Sequence, residues 1–232
     1  MPTLVIDTAA RYCSACLFDP QADRVLASDE HDIGRGHAER LMAVIGAVMA
    51  RADIDFAALD GIAVTIGPGS FTGIRVGVAA ARGYALALDV PATGVTTLEA
   101  LAMQAVAEIA PDAPFGTVIQ GGRGQLFIQH FGPDGAARDE PAAIAETEAA
   151  GRIDAGTALL VGNGAGPAAA SIAASGRAAP CAAIDRPVGT IEAVARAGMR
   201  FSHRPVPLYL READAKPQSG FALPRATTEP VR

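Results

Sequence analysis

The chain has 232 residues, half of them hydrophobic and 19% charged, with a formal net charge of −6. That composition describes a globular chain large enough for one domain or two small lobes, and its acidic balance argues against a protein that grips nucleic acid by itself. The cations are eighteen arginines and one lysine, Lys216, which removes Schiff-base catalysis and P-loop phosphate binding from the folded part.

MPTLVIDT has no basic leader pattern and reads as a strand from the start. The longest apolar run, Leu41 to Ala50, would rise only ~15 Å as helix, about half a bilayer core. The expectation is a soluble, cytoplasmic protein. Thr3 to Ile6 forms the first strand and ends at Asp7. TAARY turns the chain, Cys13 to Phe18 returns as the second strand, and a third is expected over Arg24 to Ser28. Cys13 and Cys16 spell C-x-x-C, but residues three apart on a strand face opposite sides. Their Cα atoms would lie ~10 Å apart, too far for a disulfide. No second cysteine pair completes a zinc site, since Cys181 stands alone.

In GRGHAERLMAVIGAVMARADI, Leu41, Val44, Ile45 and Val48 share one helical face, and Met42 and Met49 widen it. Such a helix is either wholly a core element or has one side in the core and one against a partner. Leu59 to Ile66 is the next strand and runs into TIGPGSFTGIRVG, Thr65 to Gly77. This stretch fails the templates for P-loops, dinucleotide fingerprints and nucleophile elbows: no lysine follows, Thr72 replaces the third glycine, and Pro68 occupies the position two before Ser70. What remains is backbone. Gly67, Gly69 and Gly73 allow positive φ or close approach, and Ser70 or Thr72 can cap the following helix. The corner is either structural or an anion cradle at a helix N-terminus, in which case Asp7, Thr8, Gly67, Gly69 and Ser70 would contact a nucleotide or anion. Along that helix Gly73 and Gly77 share a face with Ala80 or Ala81. Each helical glycine costs ~1 kcal/mol against alanine, which close approach of another element would offset. Arg75 and Arg82 share a different face.

The second half repeats the first loosely. VIDTAARYCSACLF aligns without a gap on VIQGGRGQLFIQHF (Val118 to Phe131), placing Asp7 over Gln120. The turn Gly67 to Gly69 has a counterpart in Gly164 to Gly166 after the strand ALLV. A hairpin followed by a strand–glycine turn–helix unit thus occurs twice in one order. The expected fold is α/β, an actin-like ATPase type with two similar lobes from an internal duplication. Residues 1–98 form the N-terminal lobe, 99–204 the C-terminal lobe, 205–216 a closing segment that packs back toward the first lobe, and 217–232 a flexible tail. His31, His37, His130 and His203 lack metal-ligand spacing, so no metal site is expected.

LVIDTAARYCSACLFD, GHAERLMAVIGAVM, LDGIAVTIGPGSFTGIRVGVAAARGYALAL and the late PLYLREADAK together resemble the TsaB family, formerly YeaZ. The resemblance is strong over the first hundred residues and looser over the second lobe. It implies a non-catalytic subunit needed for threonylcarbamoyladenosine (t6A) modification of tRNA. Such a subunit pairs with the catalytic subunit TsaD, is joined by the ATPase TsaE, and can self-associate. No cofactor is intrinsic, ATP or ADP enters with the complex, and tRNA is met only through it. The implied interface falls on the helices of His37 to Ala50 and Thr72 to Leu88, with His37, Arg40, Leu41, Val44, Ile45, Val48, Gly73, Val76, Gly77 and Ala80 as contacts. On this reading Gly73 and Gly77 thin a face for a partner helix. One departure stands out: the family pattern D-A-R-R-G-E-V-Y is replaced here by QGGRGQLF at Gln120 to Phe127, leaving Arg123 but losing two acids. The other reading is an autonomous actin-like ATPase or kinase with nucleotide between the lobes, against which the missing lysine and missing second acid count.

Overall fold

The computed structural model describes residues 2–210; the expected tail and the second half of the closing segment, 211–216, lie outside them. The first sheet contains β1 (Thr3–Asp7), β2 (Tyr12–Asp19) and β3 (Arg24–Asp32), antiparallel in succession. After α1 (His37–Ala52), β4 (Gly61–Gly67) joins β1 in parallel, and β5 (Ala92–Thr96) follows α2 (Phe71–Leu88) to pair with β4. The strand order is β3-β2-β1-β4-β5. Apolar runs buried on both faces make β1, β2 and β4 the centre of this sheet. The third strand runs four residues beyond the expected Ser28, through Asp29, Glu30, His31 and Asp32. These polar residues suit an edge strand, where charge discourages pairing with another chain, and they are registered against β2 as far as Tyr12.

α3 (Thr97–Glu108) leads to the second sheet: β6 (Phe115–Gly122), β7 (Gln125–Phe131), β8 (Ala142–Ala145), α4 (Ala149–Arg152), β9 (Leu159–Val161), α5 (Ala165–Ala174) and β10 (Cys181–Ala183), with α6 (Ile191–Arg200) last. Its order, β10-β9-β6-β7-β8, repeats that of the first sheet, with an antiparallel β6–β7–β8 meander and parallel β6–β9–β10 pairing. The expected hairpin and strand–turn–helix units are therefore both present twice.

Packing exchanges two helices between the lobes. α1 and α2 cover one face of the first sheet, where Leu41, Val44, Ile45 and Val48 meet Leu4, Ile6, Ile62 and Val64. Its other face, carrying Val5, Cys16, Phe18, Ala63 and Val95, is covered by Ile191, Val194 and Ala195 of α6, which follows the second sheet in sequence. Conversely α3, which follows the first sheet, lays Leu98, Leu101 and Ala105 on Phe115, Phe127 and Phe131 of the second. A boundary placed by chain order, with 99–204 in one lobe, thus separates α6 from the sheet it covers. Past α6 the chain returns to the first lobe, where His203 bridges Gly94 and the Leu208 N–H donates to the Ile66 carbonyl at 2.8 Å. Among the described residues no helix is long and apolar enough to cross a membrane.

Cys13 faces the α1–α2 core and Cys16 the α6 core, as the strand alternation requires. Burial pushes the Cys13 thiol up to about 11 and the Cys16 thiol higher still, while Cys181 is exposed. Only the thiolate reacts. A thiol-disulfide reagent should therefore titrate one thiol, Cys181, in the native protein and all three after denaturation; fast labelling of Cys13 or Cys16 would contradict this packing.

Candidate functional site at the cleft between the lobes

The glycine-rich stretch sits where β4 passes into α2. Gly67 takes a φ of 102°, and the Ser70 side chain caps α2 by accepting from the Gly73 N–H at 3.2 Å. Of the two expected caps, Ser70 is the one used. The turn then locks onto the β1–β2 turn. The Ser70 N–H donates to the Ala9 carbonyl at 2.6 Å, and the Thr8 hydroxyl donates to the Gly73 carbonyl at 2.8 Å. A Cβ at Gly69 would collide with the Ala9 carbonyl oxygen, one at Gly73 with that of Thr8, and one at Gly77 with the Thr8 hydroxyl. Three missing side chains let helix and turn touch.

Asp7 lies beneath this junction and is buried. Its Oδ1 accepts from the Thr65 hydroxyl at 2.5 Å and from the Ala9 N–H at 2.9 Å. Burial raises the carboxyl above its ordinary range, against the lowering effect of those two hydrogen bonds. Asp7 and Thr8, expected at a nucleotide, are thus internal struts of the corner. Gly69 and Ser70 do reach the cleft.

The cleft between the lobes has a volume of about 930 Å³. Its first-lobe wall includes Arg11, Ser70, Phe71, Ile74 and Arg75; its second-lobe wall includes Ile119, Gln120, Phe127 and Asn163; Leu208, Tyr209 and Leu210 cross beside them. The Arg75 guanidinium lies 3.7 Å from the Phe71 ring centroid and 5.7 Å from that of Tyr209, and its Nε donates to the Tyr209 hydroxyl at 2.7 Å. Gln120, the counterpart of Asp7, bonds Asn163 twice: its N–H donates to Oδ1 at 3.0 Å and its Nε2 to the Asn163 carbonyl at 2.9 Å. In the sequence Arg75 is marked only by the helical face it shares with Arg82. Its aromatic neighbour Tyr209 is 134 residues away in the chain, beyond the reach of local pattern.

The residues expected at a partner surface are redistributed by the structure. His37, Leu41, Val44, Ile45 and Val48 are buried inside the first lobe, and the His37 Nε2 is 3.0 Å from the Tyr12 carbonyl. Gly73 and Gly77 face Thr8, not a partner: their small size admits the β1–β2 turn instead of the expected partner helix. Val76 and Ala80 are partly buried against the same core, and Arg40 is exposed. Among the described residues no cluster of three or more His, Cys, Asp or Glu is placed to hold a metal ion.

Two sheets of one topology, facing across a cleft, define a two-lobed α/β protein. The family model described as TsaD, tRNA N6-adenosine threonylcarbamoyltransferase, matches residues 30–204. An uncharacterized protein of Mycobacterium tuberculosis is 35% identical over 219 residues, 92% of this chain and 93% of that one. The tRNA threonylcarbamoyladenosine biosynthesis protein TsaB of Escherichia coli is 32% identical over 105 residues, 45% of this chain and 44% of that one. YeaZ from Pseudomonas aeruginosa shares the fold, with a TM-score of 0.74 and 23% identity over 90% of this chain and 99% of that one. The chain belongs to the TsaD family of these matches, in its TsaB (YeaZ) group.

Two outcomes follow from the junction. Gly73→Ala should destabilise the fold by about 1–3 kcal/mol, because the Thr8 backbone must move to admit the methyl group; an unchanged melting temperature would mean that helix and turn are not in contact. For Asp7, folding raises the pKa, so the folded chain holds its proton more tightly than the unfolded one. That contribution is complete below the ordinary carboxylate value of 3.8 and is lost as pH rises through the folded value. Asp7→Asn keeps an oxygen to accept from Thr65 and Ala9. It should melt above the parent at neutral pH, with the gap narrowing toward about pH 4; thermal scans across that range would show an opposite or pH-independent gap if folding does not raise the Asp7 pKa.

Proposed function

We propose that this chain is a non-catalytic subunit in t6A modification of tRNA, and that it binds TsaD through the outer faces of α1 and α2. The observation that carries the reading is a contrast among glycines. A Cβ at Gly73 or Gly77 has no room, whereas one at Gly46 or Gly83 would meet nothing within 4 Å. Gly46 and Gly83 lie in the interiors of α1 and α2, where each weakens its helix by ~1 kcal/mol relative to alanine. The lobe's own packing offers no return for that loss; a helix of another chain lying close against these faces does. Around them are exposed Ala43, Ala50, Ala79 and Ala87, with Met42 49% and Leu86 85% exposed. Large apolar side chains set among small ones are the pattern of a contact surface.

The names of the E. coli relative and of the matching family support the place in t6A synthesis, and the interaction is read as one with a paralogue of the same fold. In this reading a second copy of the chain can use the same surface, TsaE joins the assembled pair, and ATP or ADP belongs to that complex. The protein works in the cytoplasm and meets tRNA only through that complex. The twofold order of elements supports an origin by internal duplication. Catalytic work by the isolated chain is disfavoured by the use of Asp7 and Thr8 as struts.

Leu86→Arg should leave the melting temperature unchanged and abolish the one-to-one complex with TsaD of the same organism, as judged by solution mass. Gly83→Ala should stabilise the free chain by about 0.5–1 kcal/mol while weakening that complex. Unaltered association of both variants would refute the surface, and magnesium-dependent ATP hydrolysis by the free chain would favour the autonomous ATPase instead.

A further inference from the structure

We infer that the cleft binds an amphipathic anion: a molecule with an apolar body the size of a ring system and a single carboxylate or sulfonate group, the latter held by Arg75. This rests on the cleft alone and is independent of the partner assignment. Three features of the cavity lead to it.

First, the charge of the wall is opposite to that of the protein. The chain carries a net charge of −6 with 25 acidic residues, yet the described residues that line the cleft include Arg11 and Arg75 and no Asp or Glu. The two arginines differ. Arg11 is paired through Nε with Asp32 at 2.7 Å. Among the described residues Arg75 has no carboxylate partner and is engaged through Nε alone, by the Tyr209 hydroxyl. Its position over Phe71 and beside Tyr209 holds the guanidinium plane in place. A guanidinium fixed by aromatic rings, its terminal nitrogens not engaged by any described residue, is prepared for the forked recognition of a planar or tetrahedral anion.

Second, the body of the cavity is apolar. Ala9, Ile74, Ile119, Phe127, Leu208 and Leu210 face into it. At about 930 Å³ it falls in the range of small-molecule sites, which combine an apolar lining with a few polar groups that fix orientation. Phe71 and Tyr209 are 53% and 47% exposed at its edge, large aromatic surface that the other described residues leave uncovered.

Third, several groups of the first-lobe turn that could contact a chain of phosphates are already used. The Ser70 N–H is bonded to Ala9, the Gly73 N–H to the Ser70 side chain, the Thr8 hydroxyl to Gly73, and Asp7 is sealed beneath them. One cation at the edge of an apolar cavity matches one anionic group on an apolar body better than it matches a polyphosphate.

The test is fluorescence titration of the full chain with two probes of similar shape, anilinonaphthalene sulfonate, which is anionic, and N-phenyl-1-naphthylamine, which is neutral. Both should bind once per chain. Arg75→Gln should weaken the sulfonate about tenfold, the scale of one charge-assisted hydrogen bond, and leave the neutral probe within twofold. Arg75→Lys, which keeps the charge, should recover most of the loss. Octanoate should displace the sulfonate, whereas magnesium ATP should not. Equal sulfonate affinity in Arg75→Gln, or parallel loss of both probes with Arg75→Lys no better, would overturn the assignment to Arg75. Displacement by magnesium ATP with octanoate inert would replace the amphipathic anion with a polyphosphate.

Discussion

The first lobe is arranged around how near α2 comes to the β1–β2 turn. At Gly69, Gly73 and Gly77 the helix and its entry turn have no side chain, and the backbone and hydroxyl of Thr8 and the carbonyl of Ala9 occupy that space. Two hydrogen bonds close the contact, Thr8 to Gly73 and Ser70 to Ala9. Because α2 is fixed at this distance, its next turns can bury Ile74, Val78 and Ala81 in the core shared with α1. The same approach puts Phe71 and Arg75 at the edge of the cleft. Helix packing is a matter of close complementary surfaces, and here the closest part of the surface is bare backbone.

Much of this was legible in the chain. Apolar runs of strand length gave β1, β2 and β4, the three-to-four spacing of Leu41, Val44, Ile45 and Val48 gave α1, and the duplicated hairpin and glycine turn anticipated two sheets of one order. The alternation rule placed Cys13 and Cys16 in different cores. Periodicity did not say what a face meets. Gly73 and Gly77 were recognised as a site of close approach, but a sequence pattern is the same whether the approaching group is another protein or Thr8. The C-terminal half of β3 was missed because Asp29, Glu30, His31 and Asp32 look like loop, and only pairing with β2 makes them strand. The contact of Arg75 with Tyr209 depends on the chain returning across the lobes after α6, which no local pattern encodes.

One residue type therefore has two meanings on adjoining helices. Inward glycines at 73 and 77 are needed for the lobe to close on itself, and outward glycines at 46 and 83 leave open space over the α1–α2 surface. Asp7 completes the same division of labour: it fixes Thr65 and the start of the turn while staying out of the cleft. The corner that first suggests phosphate chemistry is braced by its own hydrogen bonds, and exposed apolar and aromatic side chains lie around it, on the outer helix faces and at the edge of the cleft.

The exchanged helices impose an order on the making of the protein. The inner face of the first sheet, with Val5, Cys16 and Phe18, is complete only when α6 lies on it, and the Cys16 thiol meets the Ile191 carbonyl across 175 residues of sequence. A ribosome that has finished β5 at Thr96 must still synthesise the whole second sheet before Ile191 emerges. At about 5–20 residues per second that is a delay of several seconds, during which a formed β1–β2–β4 layer presents an uncovered apolar surface. The two lobes are thus separate in shape but not in time: the second face of the first sheet waits for a helix made after the whole of the second sheet.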